Sequence, residues 1–436
     1  MKVAFVDNMR CPLCRGDLVV QSSPVAGVLV NGSVRCDCRE YPVVDGILLM
    51  NPSMPLGHIL ALVKNGDVHD ALSLALELPR SLPLKLVQGL WQGAPSALLE
   101  NLPGANPMRL LAKLYPAGKG LSYWELALPY DAVQWEYMRQ RFASDSFFAT
   151  HTLLPLAASR RGPLLDLGCG FGHYSFLLGL QGGHTEHLCV DTEFLALLIA
   201  RRFFAPHANF VQVNGDLPLP FKDGCFELVF GSDMLHYSRT KATTGAEIGR
   251  VLAVDGLAIL PHTHNAARDN PCPGTPLTLA GYRRVFDGLN LAFFPEEQLV
   301  RQALAGEPLD TALEVDAATL EGSYAFAILA SHRTAAWHNP ILEQSDKSDH
   351  SARLVVNPVY QTAIEGDILT CHRRPLSKYY WDEYPASQAY FPEKLLFKRS
   401  ELRDKGRQRE LLQRFLLVQV PPMFVPPRPE EEWLVD

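Results

Sequence analysis

Four cysteines crowd the start of the chain, in Cys11-Pro12-Leu13-Cys14 and Cys36-Asp37-Cys38. Two short-gap pairs of thiolates can close a tetrahedral zinc site, and such a site stabilises a segment too small for a core of its own. Cys169, Cys189, Cys225, Cys272 and Cys371 are scattered. That usage suits a reducing compartment with one metal site better than a disulfide framework. Cys11, Cys14, Cys36 and Cys38 are the expected structural zinc ligands, all four thiols being spent on structure.

A second group is Asp166-Leu167-Gly168-Cys169-Gly170-Phe171-Gly172, where an apolar strand runs into a glycine loop and then an apolar helix. Glycines let the backbone turn tightly and let a ligand approach. A dinucleotide loop has Gly-x-Gly-x-x-Gly and sets a pyrophosphate on the helix N-terminus. Here the spacing is Gly-x-Gly-x-Gly, with an acid two residues before the first glycine. A carboxylate there repels pyrophosphate and suits a cation. S-adenosylmethionine carries a sulfonium and an ammonium. Asp191 ends the next apolar run, where a carboxylate can accept both ribose hydroxyls. Asp216 follows the third run and is placed to accept an adenine amino group.

With Phe226-Glu227-Leu228-Val229-Phe230 and the helix-and-turn run Glu247 to Gly256, these motifs resemble the class I S-adenosylmethionine-dependent methyltransferases. Within that class they are similar to the group of the ubiquinone-biosynthesis C-methyltransferases. The resemblance covers roughly residues 163–262. It implies that Asp166, Gly168 and Gly170 surround the methionine part of the cofactor, with Cys169, Gly172 and Thr192 also among its binding residues. Asp191 would hold the ribose, Asp216 and Leu217 would frame the adenine, and Ser232 would sit beside the sulfonium. Glu227 and Asp255-Gly256 depart mildly from the group's pattern. The cysteine segment, with Tyr41-Pro42-Val43-Val44-Asp45-Gly46-Ile47, resembles the zinc-ribbon family of the small activator of tRNA and protein methyltransferases. Its second pair is Cys-x-Cys rather than the usual Cys-x-x-Cys.

Such sheets bind substrate beyond the carboxyl ends of their fourth and fifth strands. The fourth leads into Ser232-Asp233-Met234-Leu235-His236-Tyr237, the fifth into Pro261-His262-Thr263-His264-Asn265. Methyl transfer needs an oriented nucleophile, excluded water and sometimes a base. His262 and His264 are the base candidates, with Asn265 orienting substrate. Asp233, His236 and Tyr237 are second choices, and His236 is expected as a packed residue at a helix start.

These residues need a scaffold. The chain has 436 residues, too many for one ordinary core. The expected fold is α/β: a Rossmann-like, seven-stranded methyltransferase sheet over 151–335, after a zinc-ribbon-like segment (1–52) and a helical lid or linker (53–150), with an accessory region (336–436) behind. The sheet strands are expected at Leu164–Leu167, Glu186–Val190, Ala208–Val213, Phe226–Phe230, Leu257–Leu260 and Ser323–Ala330. Aromatic residues such as Trp91, Trp124, Trp135 and Trp381 suit a cover over the pocket. Residues 394–414 are basic with interleaved acids and suggest a solvated helix face.

Net charge is −7, from 40 basic and 47 acidic residues, so the whole chain is not a polycation. An acid precedes any apolar run at the N-terminus and no run has membrane-spanning length. A cytoplasmic protein without a membrane partner is expected. The favoured activity is methyl transfer to a small biosynthetic acceptor. Alternatives are an rRNA or tRNA methyltransferase using the ribbon for RNA, or a transferase or cyclase using another carbon of the sulfonium. The absence of an Asn/Asp-Pro-Pro-Tyr motif argues against the amide-methylating nucleic-acid enzymes.

Overall fold

The computed structural model of the chain describes residues 1–77, 141–269, 272, 274–305, 307, 309–311, 315–334, 337, 352–374 and 390–422. Apolar runs bounded by Gly, Pro and Asp form the strands of one large sheet. In chain order these are β1 (Val19–Val20), β2 (Gly32–Arg35), β3 (Glu40–Val44), β4 (Ile47–Leu49), β5 (Leu164–Leu167), β6 (His187–Asp191), β7 (Asn209–Gln212), β8 (Phe226–Phe230), β9 (Leu252–His264), β10 (Asn290–Pro295) and β11 (Ala325–Ser331). Their spatial order is β1-β2-β3-β4-β7-β6-β5-β8-β9-β11-β10.

The seven strands from β7 to β10 in that order are the expected sheet. β7, β6, β5, β8 and β9 run parallel, and β11 lies antiparallel between β9 and β10. The expectation of seven strands is nonetheless too small, because the cysteine-bearing segment does not stand apart. β1 to β4 form an antiparallel meander, and β4 then pairs parallel with β7, in register Ile47↔Phe210 to Leu49↔Gln212. The β3–β4 connection is the pair Asp45-Gly46, with φ of 47° and 74°. Two consecutive positive φ values make a tight hairpin turn whose twist matches the flanking strands.

Alternate residues of each central strand face opposite layers, as a pleated strand requires. Leu165, Val229, Ala258, Leu260 and Ile328 pack with the β1–β4 segment and the helices Leu56–Lys64 and Val68–Ala75. Leu164, Leu228, Phe230, Ile259 and Leu329 pack on the other face with the helices Asp145–Ala158, His173–Gln181 and Glu296–Ala305. Ser144 caps the first of these, its hydroxyl accepting from Phe147 N at 3.2 Å. The second layer also takes in β12 (Arg353–Val356), β13 (Tyr360–Glu365), β14 (Ile368–Arg373), β15 (Lys394–Lys398) and β16 (Leu417–Val420), which form a two-stranded and a three-stranded antiparallel sheet.

The basic stretch is therefore not one helix face. Its first part is β15, and only Lys405–Gln413 is helical, capped by the Asp404 carboxylate on Arg407 N at 2.8 Å. Arg407 and Arg414 both pair with Glu410. The aromatic cover residues Trp91, Trp124, Trp135 and Trp381 lie outside the described residues. Among the described residues, no helix is long and apolar enough to cross a membrane.

Candidate active site and cysteine site

β5, β6, β8 and β9 are parallel neighbours, so their carboxyl ends share one edge. The loop after β5 turns through Gly168, Gly170 and Gly172, with φ of 72°, 51° and 86°. Gly168 N and Cys169 N donate to Val190 O at 2.9 and 3.1 Å, lacing the loop to β6. Gly170 N donates to Asp191 Oδ2 at 2.8 Å, while Asp191 Oδ1 accepts from Glu193 N at 3.0 Å and lies 3.5 Å from the Thr192 hydroxyl. Burial raises the Asp191 carboxyl above its ordinary range against the pull of these bonds. A methyl group added at Gly172 would press on Ala200 Cβ at 2.8 Å, whereas one at Gly170 would meet nothing within 4 Å among the described residues. The space in front of Gly170, beside the Asp191 carboxylate, fits a ligand that approaches the backbone closely and carries hydroxyl donors.

Asp166 is engaged from the helix side of the loop. It is buried and accepts from the Ser175 hydroxyl on the helix that follows the loop. Burial pushes its carboxyl up to about 7, opposed by Ser175 and helped by Asp191. Asp216 is also engaged: its Oδ1 accepts from Arg239 N at 2.7 Å and from the Ser238 hydroxyl at 3.1 Å, ordering the turn before the helix Lys241–Val251. Leu217 beside it is 38% exposed. The buried Ser232 hydroxyl lies 3.2 Å from that of Thr150.

The ends of β8 and β9 bring the remaining candidates together. Asp233 sits at the centre, not at the margin where the sequence places it. Its Oδ1 lies 3.4 Å from His264 Nε2, 3.8 Å from His236 Nδ1 and 4.0 Å from His262 Nε2. Its Oδ2 accepts from Arg141 Nη1 at 3.0 Å. Burial would raise this carboxyl, but His262, His264, Arg141 and His236 hold it far below its ordinary value. His262 Nδ1 lies 2.7 Å from Glu296 Oε2, and Glu296 Oε1 accepts from His262 N. Burial disfavours the charged imidazole, yet Glu296 and Asp233 outweigh it and raise His262 to about 9. His236, in contrast, is pushed down to about 3, chiefly by burial.

Arg141 and Glu296 carry no mark in the sequence. Arg141 lies in the segment leading into the domain, and Glu296 opens a helix after a strand that the hydropathy pattern does not reveal. Asn265, expected to orient substrate, has its side-chain amide engaged within the fold. It is buried, its Nδ2 faces the carbonyls of Leu320, Glu321 and Ser323 at 3.3, 3.1 and 2.9 Å, and its Oδ1 accepts from Ala267 N. It clamps two loops. Tyr237 is 59% exposed beside the cluster.

The cluster abuts the glycine loop. A Cβ at Gly168 would stand 3.0 Å from Met234 Cβ, the residue after Asp233. The Arg141 guanidinium lies 5.2 Å from the ring centre of Tyr174, which sits in the first turn after Gly172.

The four N-terminal cysteines also converge. Cys11 and Cys38 sulfurs are 3.6 Å apart, Cys14 and Cys36 3.8 Å, Cys36 and Cys38 3.3 Å, and all four lie within 4.8 Å of one another. A tetrahedral thiolate site with Zn–S of about 2.3 Å separates its sulfurs by about 3.8 Å. The shortened second knuckle thus still delivers both sulfurs. Burial works against a Cys11 thiolate, but the Cys14 and Leu13 amides and the Tyr41 hydroxyl lower it to about 6.

Residues 165–260 match the family model described as a methyltransferase domain. Over 94 residues the chain is 33% identical to a malonyl-[acyl-carrier protein] O-methyltransferase of Legionella pneumophila, covering 21% of this chain and 33% of the relative. The chain thus spans about a third of that curated relative. Among solved structures, a TehB-like S-adenosylmethionine-dependent methyltransferase from Corynebacterium glutamicum is 20% identical, with 42% of this chain and 88% of that one covered and a TM-score of 0.31. A complex of the Haloferax volcanii Trm112 methyltransferase activator with a putative methyltransferase is 16% identical, with 49% and 99% covered and a TM-score of 0.35. The segment from β5 into β9 thus carries a methyltransferase domain.

Proposed function

We propose that the chain transfers a methyl group from S-adenosylmethionine to a small biosynthetic acceptor, bound where the ends of β8 and β9 meet the glycine loop. The carrying observation is adjacency: the buried Asp233–His262–His264 cluster lies against Gly168 through Met234. The cofactor supplies a methyl carbon already activated by its sulfonium. Gly168, Gly170 and Gly172 would shape its cradle with Cys169, and Asp191 with Thr192 would take its ribose. Leu217 and Asp216 would border the adenine, Asp216 through its free side because Oδ1 is engaged. Ser232 would lie beside the sulfonium.

What this chain's residues add is positioning and proton handling. Asp233 and Glu296 hold the His262 ring from both sides. Two carboxylates around two imidazoles and Arg141 form a polar, water-poor pocket wall that can orient an acceptor and take its proton. The relative is named a malonyl-[acyl-carrier protein] O-methyltransferase, and that favours an acyl or carboxyl acceptor over a nucleic acid. The pairing of Arg407 and Arg414 with Glu410 also leaves the basic stretch less fit to track phosphates.

The cysteine site would hold a structural zinc that stiffens the β1–β4 meander at the sheet edge. Calorimetric titration with S-adenosylmethionine and S-adenosylhomocysteine tests the donor, and release of S-adenosylhomocysteine with carboxylate and thioester acceptors tests the reaction. Binding of neither nucleoside would sink the reading, and turnover on RNA alone would replace its acceptor.

A further inference from the structure

We propose that Asp233, His262 and His264 bind a divalent transition-metal ion of the zinc class, leaving one coordination position open toward the methyl acceptor. The ligand atoms of the three residues all lie within 4.8 Å of one another. Asp233 Oδ1 stands 3.4 Å from His264 Nε2 and 4.0 Å from His262 Nε2. Bonds of about 2.1 Å in a tetrahedral site put nitrogen and oxygen ligands about 3.4 Å apart. The triad needs to contract by a few tenths of an ångström to close on an ion.

The orientation of His262 is that of a metal ligand. Its Nδ1 is held by the Glu296 carboxylate at 2.7 Å, which turns Nε2 toward Asp233. A carboxylate behind a ligating imidazole fixes its tautomer and makes the ring a better donor. Asp233 is arranged likewise: Arg141 takes Oδ2 and leaves Oδ1 facing the imidazoles. His236 Nδ1 adds an independent sign. It is buried, has no hydrogen-bond partner among the described residues and points within 3.8 Å of the same Asp233 oxygen. A buried polar atom left so is costly and asks for a ligand. Imidazole donors favour zinc, iron or cobalt over the oxygen-seeking magnesium and calcium.

The backbone shows the same focus. Asp233 and His262 are both non-glycine residues with positive φ, 57° and 52°. Strain of this kind costs about 1–3 kcal/mol per residue and gathers at functional sites. The proton that His262 carries between Asp233 and Glu296 balances the two carboxylates together with Arg141, and a cation would displace that proton and take its place in the balance.

Three protein ligands and one open position are the pattern of a catalytic rather than a structural site. The open position suits an acceptor with an ionisable O–H, S–H or N–H group. This part rests on the methyl-transfer reading. On binding, the acceptor's proton leaves to solvent. Its heteroatom lone pair then forms the new bond to the methyl carbon, while the carbon–sulfur bond breaks and its electrons return to sulfur, leaving neutral S-adenosylhomocysteine.

The test uses the full chain, stripped with a chelator and titrated with Co(II), whose spectrum distinguishes thiolate from nitrogen and oxygen ligation. Two equivalents are expected, one with thiolate charge-transfer absorption from the cysteine site and one without. His264→Gln should lose the second and keep the first. Glu296→Gln should keep both but weaken the second roughly ten- to hundredfold; this variant carries the test if His264→Gln does not fold. A wild-type chain without the second signal, or a second signal indifferent to both substitutions, overturns the proposal and leaves a cluster completed by protons alone. Nucleoside binding is measured in parallel. A second equivalent of Co(II) without any S-adenosylmethionine binding would sustain the metal site and sink methyl transfer.

Discussion

Arg202 grips both carboxylate oxygens of Asp45, with Nε 3.0 Å from Oδ2 and Nη2 2.9 Å from Oδ1. Arg201 adds Nη1 to Oδ2 at 3.2 Å. The β3–β4 turn is thereby fastened to the helical segment after β6, beside the strand pair β4–β7. The pair is partly shielded, so removing one partner costs more than at an open surface but less than in a dry core. Asp45→Asn keeps a side chain that tolerates positive φ and removes the charge. We expect it to lower unfolding free energy by about 1–3 kcal/mol. A double-mutant cycle with Arg202→Gln, read by urea denaturation, should show coupling; strictly additive losses would mean that the contact contributes nothing.

Metal removal should loosen that same edge. β1 has two residues and β4 three, so a zinc ion in the four-cysteine cluster would add order to the meander beyond its core packing and its pairing with β7. Stripping zinc should lower the melting temperature, and adding it back should restore it. Cys36→Ser should start from the lowered value and not respond to zinc. Structural sites of this kind hold several kcal/mol of folding energy. An unchanged melting curve after verified metal loss would show that β4–β7 pairing suffices.

The Asp166 carboxyl is raised to about 7 by burial, from 3.8. For an acid raised on folding, the folded state keeps its proton where the unfolded state has lost it. Its contribution is therefore full below pH 3.8 and is lost as pH rises through 7. Asp166→Asn cannot titrate. Compared with wild type in the absence of cofactor, the variant should gain relative stability of roughly 2–3 kcal/mol between pH 5 and pH 8. Parallel stability profiles for the two proteins would show that Asp166 is ionised in the folded chain throughout.

Much of the nucleotide half was legible because its signals are local. β5, β6, β7 and β8 are short apolar runs closed by Gly, Pro or Asp, and the glycine loop follows its strand directly. β9 outruns its expected span of Leu257–Leu260 because Ala253 to Gly256 stay extended, and because β11 pairs with the polar end as far as His264. β10 was missed, since Asn290 to Pro295 offers a brief apolar run ended by proline. What had no local trace was long-range pairing. Nothing in Ile47-Leu48-Leu49 points to Phe210, and nothing in Glu296 points to His262. Asp233 ranked second because its centrality depends on a positive φ and on Arg141, neither of which has a spacing signal.

Gly170 and Gly172 separate cofactor binding from folding. Gly172 has φ of 86° and its added methyl would meet Ala200 Cβ at 2.8 Å. Gly172→Ala should therefore destabilise the chain, by about 1–3 kcal/mol from strain alone. Gly170 has φ of 51°, a region that alanine can enter at a cost of about 1–2 kcal/mol, and its methyl would meet nothing within 4 Å among the described residues. Gly170→Ala should then fold with at most that loss while placing a methyl group where the cofactor's approach is closest. We expect its S-adenosylmethionine affinity to fall at least tenfold, equivalent to about 1.4 kcal/mol. Calorimetry on both variants decides the matter: undiminished binding by Gly170→Ala would place the cofactor away from this loop, whatever the stability of either protein.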